Sequence, residues 1–192
     1  TYEEWRDVIA ASLAARAPFD KVEKRALKEM ELQAKWLPVW NAFGDGVRGF
    51  GAASLAVIVG EAGDLSNYAT VAKLWKRMGL AVMGDVRQGG LLKSASKEDW
   101  IEHGYSRQRR SRMWNIGDAL IKGNSEKLPS VDLADAPQPR RAGEYRTIYL
   151  ARKMYELARD PEMKPIKAHR RAQRYMEKKL LRDLCNSWKK DG

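Results

Sequence analysis

The sequence predicts a mainly all-α protein: a helical arm, a core built on a helix-hairpin-helix turn, and a long basic C-terminal helix, with a small hairpin within residues 80–95. Three observations predict it. Apolar residues recur at three- and four-residue spacing along most of the chain, the signature of one-sided helices. Capping residues stand where those patterns begin or stop: Ser96 and Ser106 before, Gly79, Gly104 and Gly123 after. The densest glycine cluster, Gly44 to Gly51, joins two short helical patterns and is preceded by no strand.

Residues 1–38 form the arm. Trp5, Val8, Ile9, Ser12 and Leu13 fall at helical spacing within Tyr2–Ala17, and Pro18 is expected to end that helix. Asp20 with Glu23 is a capping box for a second helix, whose face carries Val22, Ala26, Leu27, Met30, Ala34 and Leu37. The pair reads as a helical hairpin or coiled-coil arm. Residues 39–123 form the core. Trp40 and Phe43 lead into the turn, and Ala52–Gly60 continues as a small-residue helix. Tyr68–Met78 is helical and stops at Gly79. Residues 80–95, with Gly84, Gly89 and Gly90, read as a loop or short hairpin. Ser96 with Asp99 caps a turn carrying Trp100 and Ile101, and Ser106 caps a helix over Arg107–Ile121. Asn124–Gly143, with Pro129, Pro137 and Pro139, reads as a linker or mobile loop. Residues 144–192 then hold a helix over Tyr145–Arg159 and a long one over Ile166–Lys189.

Composition narrows the classes. A chain of 192 residues can bury one sizeable core with room for a satellite. The longest apolar run, Ala52–Gly60, is far short of the ~20 residues a membrane span needs. No basic segment followed by an apolar one opens the chain, so no secretory signal is expected, and the start at Thr1 rather than Met fits a piece of a longer product. The single cysteine, Cys185, excludes an internal disulfide and fits a reducing compartment. With only His103 and His169 beside it, no structural zinc site is expected, and no cofactor. The scattered carboxylates Asp64, Asp85, Asp99 and Asp118 have no spacing that implies a two-metal centre. The seven tryptophans are expected mostly in the core.

Charge is more informative. Residues 1–103 hold 14 Lys+Arg against 14 Asp+Glu, whereas residues 104–192 hold 22 against 11, so the whole net charge of +11 lies in the C-terminal half. Such one-sidedness is an electrostatic footprint of nucleic-acid binding. Three features could carry it. In Val47-Arg48-Gly49-Phe50-Gly51, Gly49 and Gly51 permit close approach of a phosphate to the start of the next helix, Arg48 adds a direct contact, and Phe50 packs inward. Arg107, Arg109, Arg110 and Arg112 crowd one helix start, and guanidinium forks suit phosphate oxygens. Lys167, Arg171, Arg174, Lys178 and Arg182 form a continuous basic stripe, beside an apolar one of Ala168, Ala172, Met176, Leu180, Leu184 and Trp188. An anionic membrane or an acidic partner would also suit such a helix.

The order of these pieces carries a resemblance. The hairpin, then Ala62-Gly63-Asp64-Leu65-Ser66-Asn67-Tyr68, then Ala72-Lys73-Leu74-Trp75-Lys76-Arg77-Met78-Gly79-Leu80, resembles the C-terminal transposase domain of the IS-one-ten insertion-sequence class, over residues 35–123 and more loosely 144–189. The resemblance implies DNA handling in a phage or mobile-element setting. Full members add an N-terminal RuvC-like domain with acidic metal ligands, absent from these residues, and are guided by a structured RNA. Their serine nucleophile lies in a Gln-Ser-Gly-like stretch after the Gly-Leu element. Here that stretch is Arg87-Gln88-Gly89-Gly90, with Gly89 in the serine's place. A covalent phosphoserine needs a hydroxyl, so strand transfer is not expected unless a shifted loop brings in Ser94 or Ser96.

The expectation is thus a DNA-binding protein, with RNA as a second polyanion, acting in the cytoplasm of a bacterial or phage-infected cell near the nucleoid. Two other readings stay open. One is the C-terminal part of an active RNA-guided recombinase. The other is a helical adaptor or regulator that binds a protein partner through the N-terminal helices, which would also suit a homo-oligomer.

Overall fold

A computed structural model describes residues 2–92, 94–123, 125–127 and 140–191. Among them are seven α-helices and two small antiparallel hairpins: α1 (Tyr2–Trp36), α2 (Ala52–Ala62), α3 (Val71–Arg77), β1 (Val82–Met83), β2 (Val86–Arg87), α4 (Lys97–His103), α5 (Arg107–Gly123), β3 (Ser125–Lys127), β4 (Arg140–Ala142), α6 (Glu144–Arg159) and α7 (Pro165–Asp191). The chain is mainly all-α, as its periodicity predicts. No helix of the described residues is long and apolar enough to cross a membrane.

The axis of the fold is α7. Pro165 occupies its first turn, where a missing N–H costs nothing. Ala168, Ala172, Met176, Leu180, Leu181, Leu184 and Cys185 are buried along its inner side, so the apolar stripe predicted there is a core face. Against it pack Met113, Ile116 and Leu120 of α5, Tyr145 and Tyr149 of α6, Leu74 of α3 and the Leu65 turn. Leu55 and Ile58 of α2 extend the same cluster. One continuous core therefore joins residues 39–123 to residues 144–192.

Local chemistry explains the helix ends. Gly79 takes φ +75°, its N–H donates to the Lys76 carbonyl (3.2 Å), and the Leu80 N–H reaches back to the Trp75 carbonyl (2.8 Å), a left-handed stop that closes α3. Ser96 and Asp99 make the reciprocal capping box of α4, which Gly104 ends at φ +59°. The Ser106 hydroxyl accepts from the Arg109 N–H at the start of α5 (3.3 Å). The hairpin expected within 80–95 is β1–β2, with Val82 opposite Arg87 and Gly84 turning at φ +57°.

Three expectations are corrected. Pro18 does not end a helix: α1 runs unbroken for 35 residues. Ala14, Ala15 and Ala17 are strong helix formers, and the proline forfeits a single backbone bond. Asp20 consequently caps nothing, and its carboxylate instead accepts from Arg16 Nε one turn back (2.8 Å). The tryptophans are not mostly core. Trp5, Trp36 and Trp114 are exposed, Trp5 because the outer part of α1 leaves the body of the protein. At the ends of the segment 124–143, expected as a linker or mobile loop, Ser125 pairs with Ala142 and Lys127 with Arg140. Its prolines lie outside the described residues.

Candidate nucleic-acid interface

The glycine turn is built for packing on one side and open on the other. A single π-type turn at Trp40–Gly44, closed by the Asp45 N–H on the Trp40 carbonyl (2.8 Å), delivers the chain into it. Phe50 is buried edge-on to Phe43, with ring centroids 6.0 Å apart, so it is the inward anchor. Gly49 sits at φ +83°, and a Cβ there would lie 2.9 Å from the Ala119 carbonyl oxygen and 3.1 Å from the Leu120 Cα. Its missing side chain therefore admits α5 rather than a phosphate. Gly51 precedes α2 with ordinary φ, and a Cβ there would meet nothing within 4 Å. Arg48 is exposed beside it.

Much of the arginine cluster at the start of α5 is engaged inside the protein. Glu61, at the end of α2, is held by Arg112 Nη1 and by Arg109 Nε (3.0 Å). Arg110 Nη1 reaches the carboxylate of Glu177 on α7 (3.0 Å). Only Arg107 of the four is fully on the surface. These arginines clamp α5 to α2 and α7, a role that spacing alone could not separate from phosphate contact.

Glu177 is completely buried, and its neighbour Gln173 donates to the Trp114 carbonyl (2.9 Å). Room for both comes from Gly117, where a Cβ would lie 2.5 Å from Glu177 Oε1 and 2.8 Å from Gln173 Nε2. Burial pushes the Glu177 carboxyl up to about 7, with Arg110 and Arg174 pulling the other way. Arg174 itself is lowered first by burial, then by repulsion from Arg110 and Arg87.

Among the described residues, a group of cations lines a groove between α6 and α7. Glu156 is only 1% exposed and accepts from Arg171 Nη1 (2.9 Å) and from Arg152 through Nε (2.9 Å) and Nη2, with Arg159 at 3.9 Å. Burial would raise its carboxyl, but the hydrogen bonds from Arg171 and Arg152 win and hold it below the ordinary value. Arg152, Arg159, Arg171, Arg174 and Lys178 line one groove with Glu156, and Arg174 also faces the buried Glu177. Tyrosines stand among them. The Arg152 guanidinium lies 4.8 Å from the Tyr155 ring centre and 4.9 Å from that of Tyr175, Lys179 Nζ lies 5.6 Å from Tyr175, and both rings are exposed. Lys178 Nζ covers Trp75 at 4.9 Å, and burial followed by Arg174 lowers its pKa. Crowded cations of this kind are relieved by an anion lying across them.

The predicted basic stripe thus divides. Arg171, Arg174 and Lys178 reach the groove; Arg182 turns to Asp183 (2.7 Å), and Lys167 is exposed nearer the helix start. Arg152, Tyr155, Arg159, Tyr175 and Lys179 were not anticipated. A signal existed: 152, 155, 156 and 159 share one face of a helix at three- and four-residue spacing.

The stretch compared with a serine-nucleophile loop has a structural job. Gln88 is buried, and its Nε2 donates to the carbonyls of Lys76 (2.8 Å), His103 (2.7 Å) and Gly104 (3.2 Å), while Oε1 accepts from the Ala81 N–H (3.2 Å). At Gly89 a Cβ would lie 2.7 Å from the Tyr105 ring. Ser96 is occupied as the cap of α4, and Ser94 is exposed. No protein-family model, no curated protein and no solved structure matches the chain.

Proposed function

We propose that this chain is a transposase-related DNA-binding protein that grips the phosphate backbone with little sequence readout and has no strand-transfer activity of its own. The observation that carries the reading is the α6–α7 groove, where Arg152, Arg159 and Arg171 share one buried carboxylate, Arg174 and Lys178 line the same wall and two tyrosines stand exposed. Phosphate contacts of this type set affinity and position without reading bases. The tyrosine faces would suit unstacked bases of a single-stranded or branched target. In support of inactivity, the ring of Tyr105 crowds Gly89, and Ser96 is committed to its helix. The open face at Gly51 and Arg48 is a second point of backbone contact. Such a protein would act beside DNA in the cytoplasm of a bacterial or phage-infected cell.

Fluorescence anisotropy with duplex DNA, single-stranded DNA and duplex RNA, titrated across ionic strength, tests this. Each duplex-DNA phosphate contact contributes a slope of about −0.9 in log affinity against log salt, so Arg159→Gln/Lys178→Gln/Lys179→Gln should flatten the slope by roughly 2–3. Salt-independent binding, or a triple variant indistinguishable from the parent, would sink the reading; preference for RNA would reassign the polyanion.

A further inference from the structure

The outer part of α1 presents an apolar side that none of the other described residues buries. At its C-terminal end the helix packs against the body of the protein, α2 included, burying Ala34. Farther out, Trp5, Val8, Ile9, Leu13, Phe19 and Val22 are each more than half exposed, Phe19 at 75%. A run of this kind is too large for the water-facing surface of an ordinary monomer. Its spacing is specific. Trp5, Val8, Ser12, Ala15, Phe19, Val22 and Ala26 succeed one another by 3, 4, 3, 4, 3 and 4 residues, the seam of a two-stranded coiled coil. Pro18 falls outside that seam.

Charge selects the occupant and its direction. The outer end holds Glu3, Glu4 and Asp7 against Arg6, while residues 20–28 hold Lys21, Lys24, Arg25 and Lys28 against Asp20 and Glu23. Two copies side by side in the same direction would set acid on acid and base on base. Reversed, each acidic end meets the other's basic stretch. We propose that the chain forms a homodimer through antiparallel pairing of two α1 helices, a surface independent of the α6–α7 groove. Trp5 packs opposite Val22 of the partner subunit, Val8 opposite Phe19 of the partner subunit, and Ser12 opposite Ala15 of the partner subunit at the two-fold axis. Glu4 then faces Arg25 of the partner subunit. The seam from Trp5 to Val22 is about 26 Å long. Four aromatic rings at about 150–250 Å² each, with the aliphatic residues between them, bring the interface to the order of the 1,200–2,000 Å² of stable complexes.

Sedimentation equilibrium of the whole chain at micromolar concentration tests this, with twice 21.9 kDa expected. Phe19→Glu would bury an unpaired carboxylate twice per dimer and should raise the dissociation constant roughly a hundredfold or more, with the circular dichroism of the body unchanged. Glu4→Arg and Arg25→Glu should each weaken the dimer by about five- to tenfold, and the two together in one chain should restore it. That rescue occurs only in the antiparallel arrangement. A monomer at every concentration, a dimer indifferent to Phe19→Glu, or a double swap weaker than both singles would overturn the proposal, as would a monomer whose arm binds a different protein instead.

Discussion

Glu177→Gln is the perturbation that most directly tests the account of the interior. The carboxyl is fully buried between α5 and α7, facing Arg110, Arg174 and Gln173. Its removal from water outweighs the two arginines and carries it from the ordinary 4.5 to about 7. A folded-state value above the unfolded one means that the native protein holds the proton more tightly. The stability this contributes is therefore complete below about pH 4.5 and is lost as pH rises through 7. At about 1.4 kcal/mol per pH unit, the interval amounts to roughly 3 kcal/mol, in the absence of other titrations. His169 runs the other way: burial lowers it, followed by repulsion from Lys153, so its contribution is lost as pH falls below the ordinary 6.5. Comparing the parent with Glu177→Gln cancels that term. Urea unfolding at constant ionic strength, at intervals from pH 4.5 to 8, should show the parent losing about 3 kcal/mol relative to the variant. The variant stays neutral at this position throughout. Two stability curves that remain parallel across the range would refute the claim that this carboxyl is ionised against a desolvation penalty.

Two further substitutions separate packing from binding. Gly49→Ala combines a strained backbone with a Cβ against the α5 main chain, at an expected cost of roughly 2–4 kcal/mol, or on the order of 5–15 °C in melting temperature for a chain this size. Gly51→Ala, with open space before it, should leave melting unchanged while weakening DNA binding; equal effects of the two on melting would contradict the division of roles. Gln88→Leu would strand the carbonyls of Lys76, His103 and Gly104 and the Ala81 N–H, costing about 2–4 kcal/mol. Hydrogen exchange should then rise first in β1–β2 and α4, and unaltered protection there would show the clamp to be dispensable.

The helical class, most helix boundaries and the inner face of α7 were legible in the residues alone, because these depend on interactions a few positions apart. Gly79, Ser96 with Asp99, and Ser106 act within one turn of themselves, so their caps were legible. The same locality made Pro18 misleading: one missing backbone bond was outweighed by the length of α1. Which charges are neutralised inside the protein became visible in the folded chain. Arg109 and Arg112 look like Arg171 in composition and spacing, yet they meet Glu61 across 48 and 51 residues, while Arg171 meets Glu156 from the neighbouring helix and leaves a cationic excess around it. Pairing of opposite charges across the chain depends on where helices cross, and no periodicity records that. Gly49 and Gly51 make the same point, one pressed on α5 and the other open, since a glycine's spelling does not say what backbone will come to lie against it.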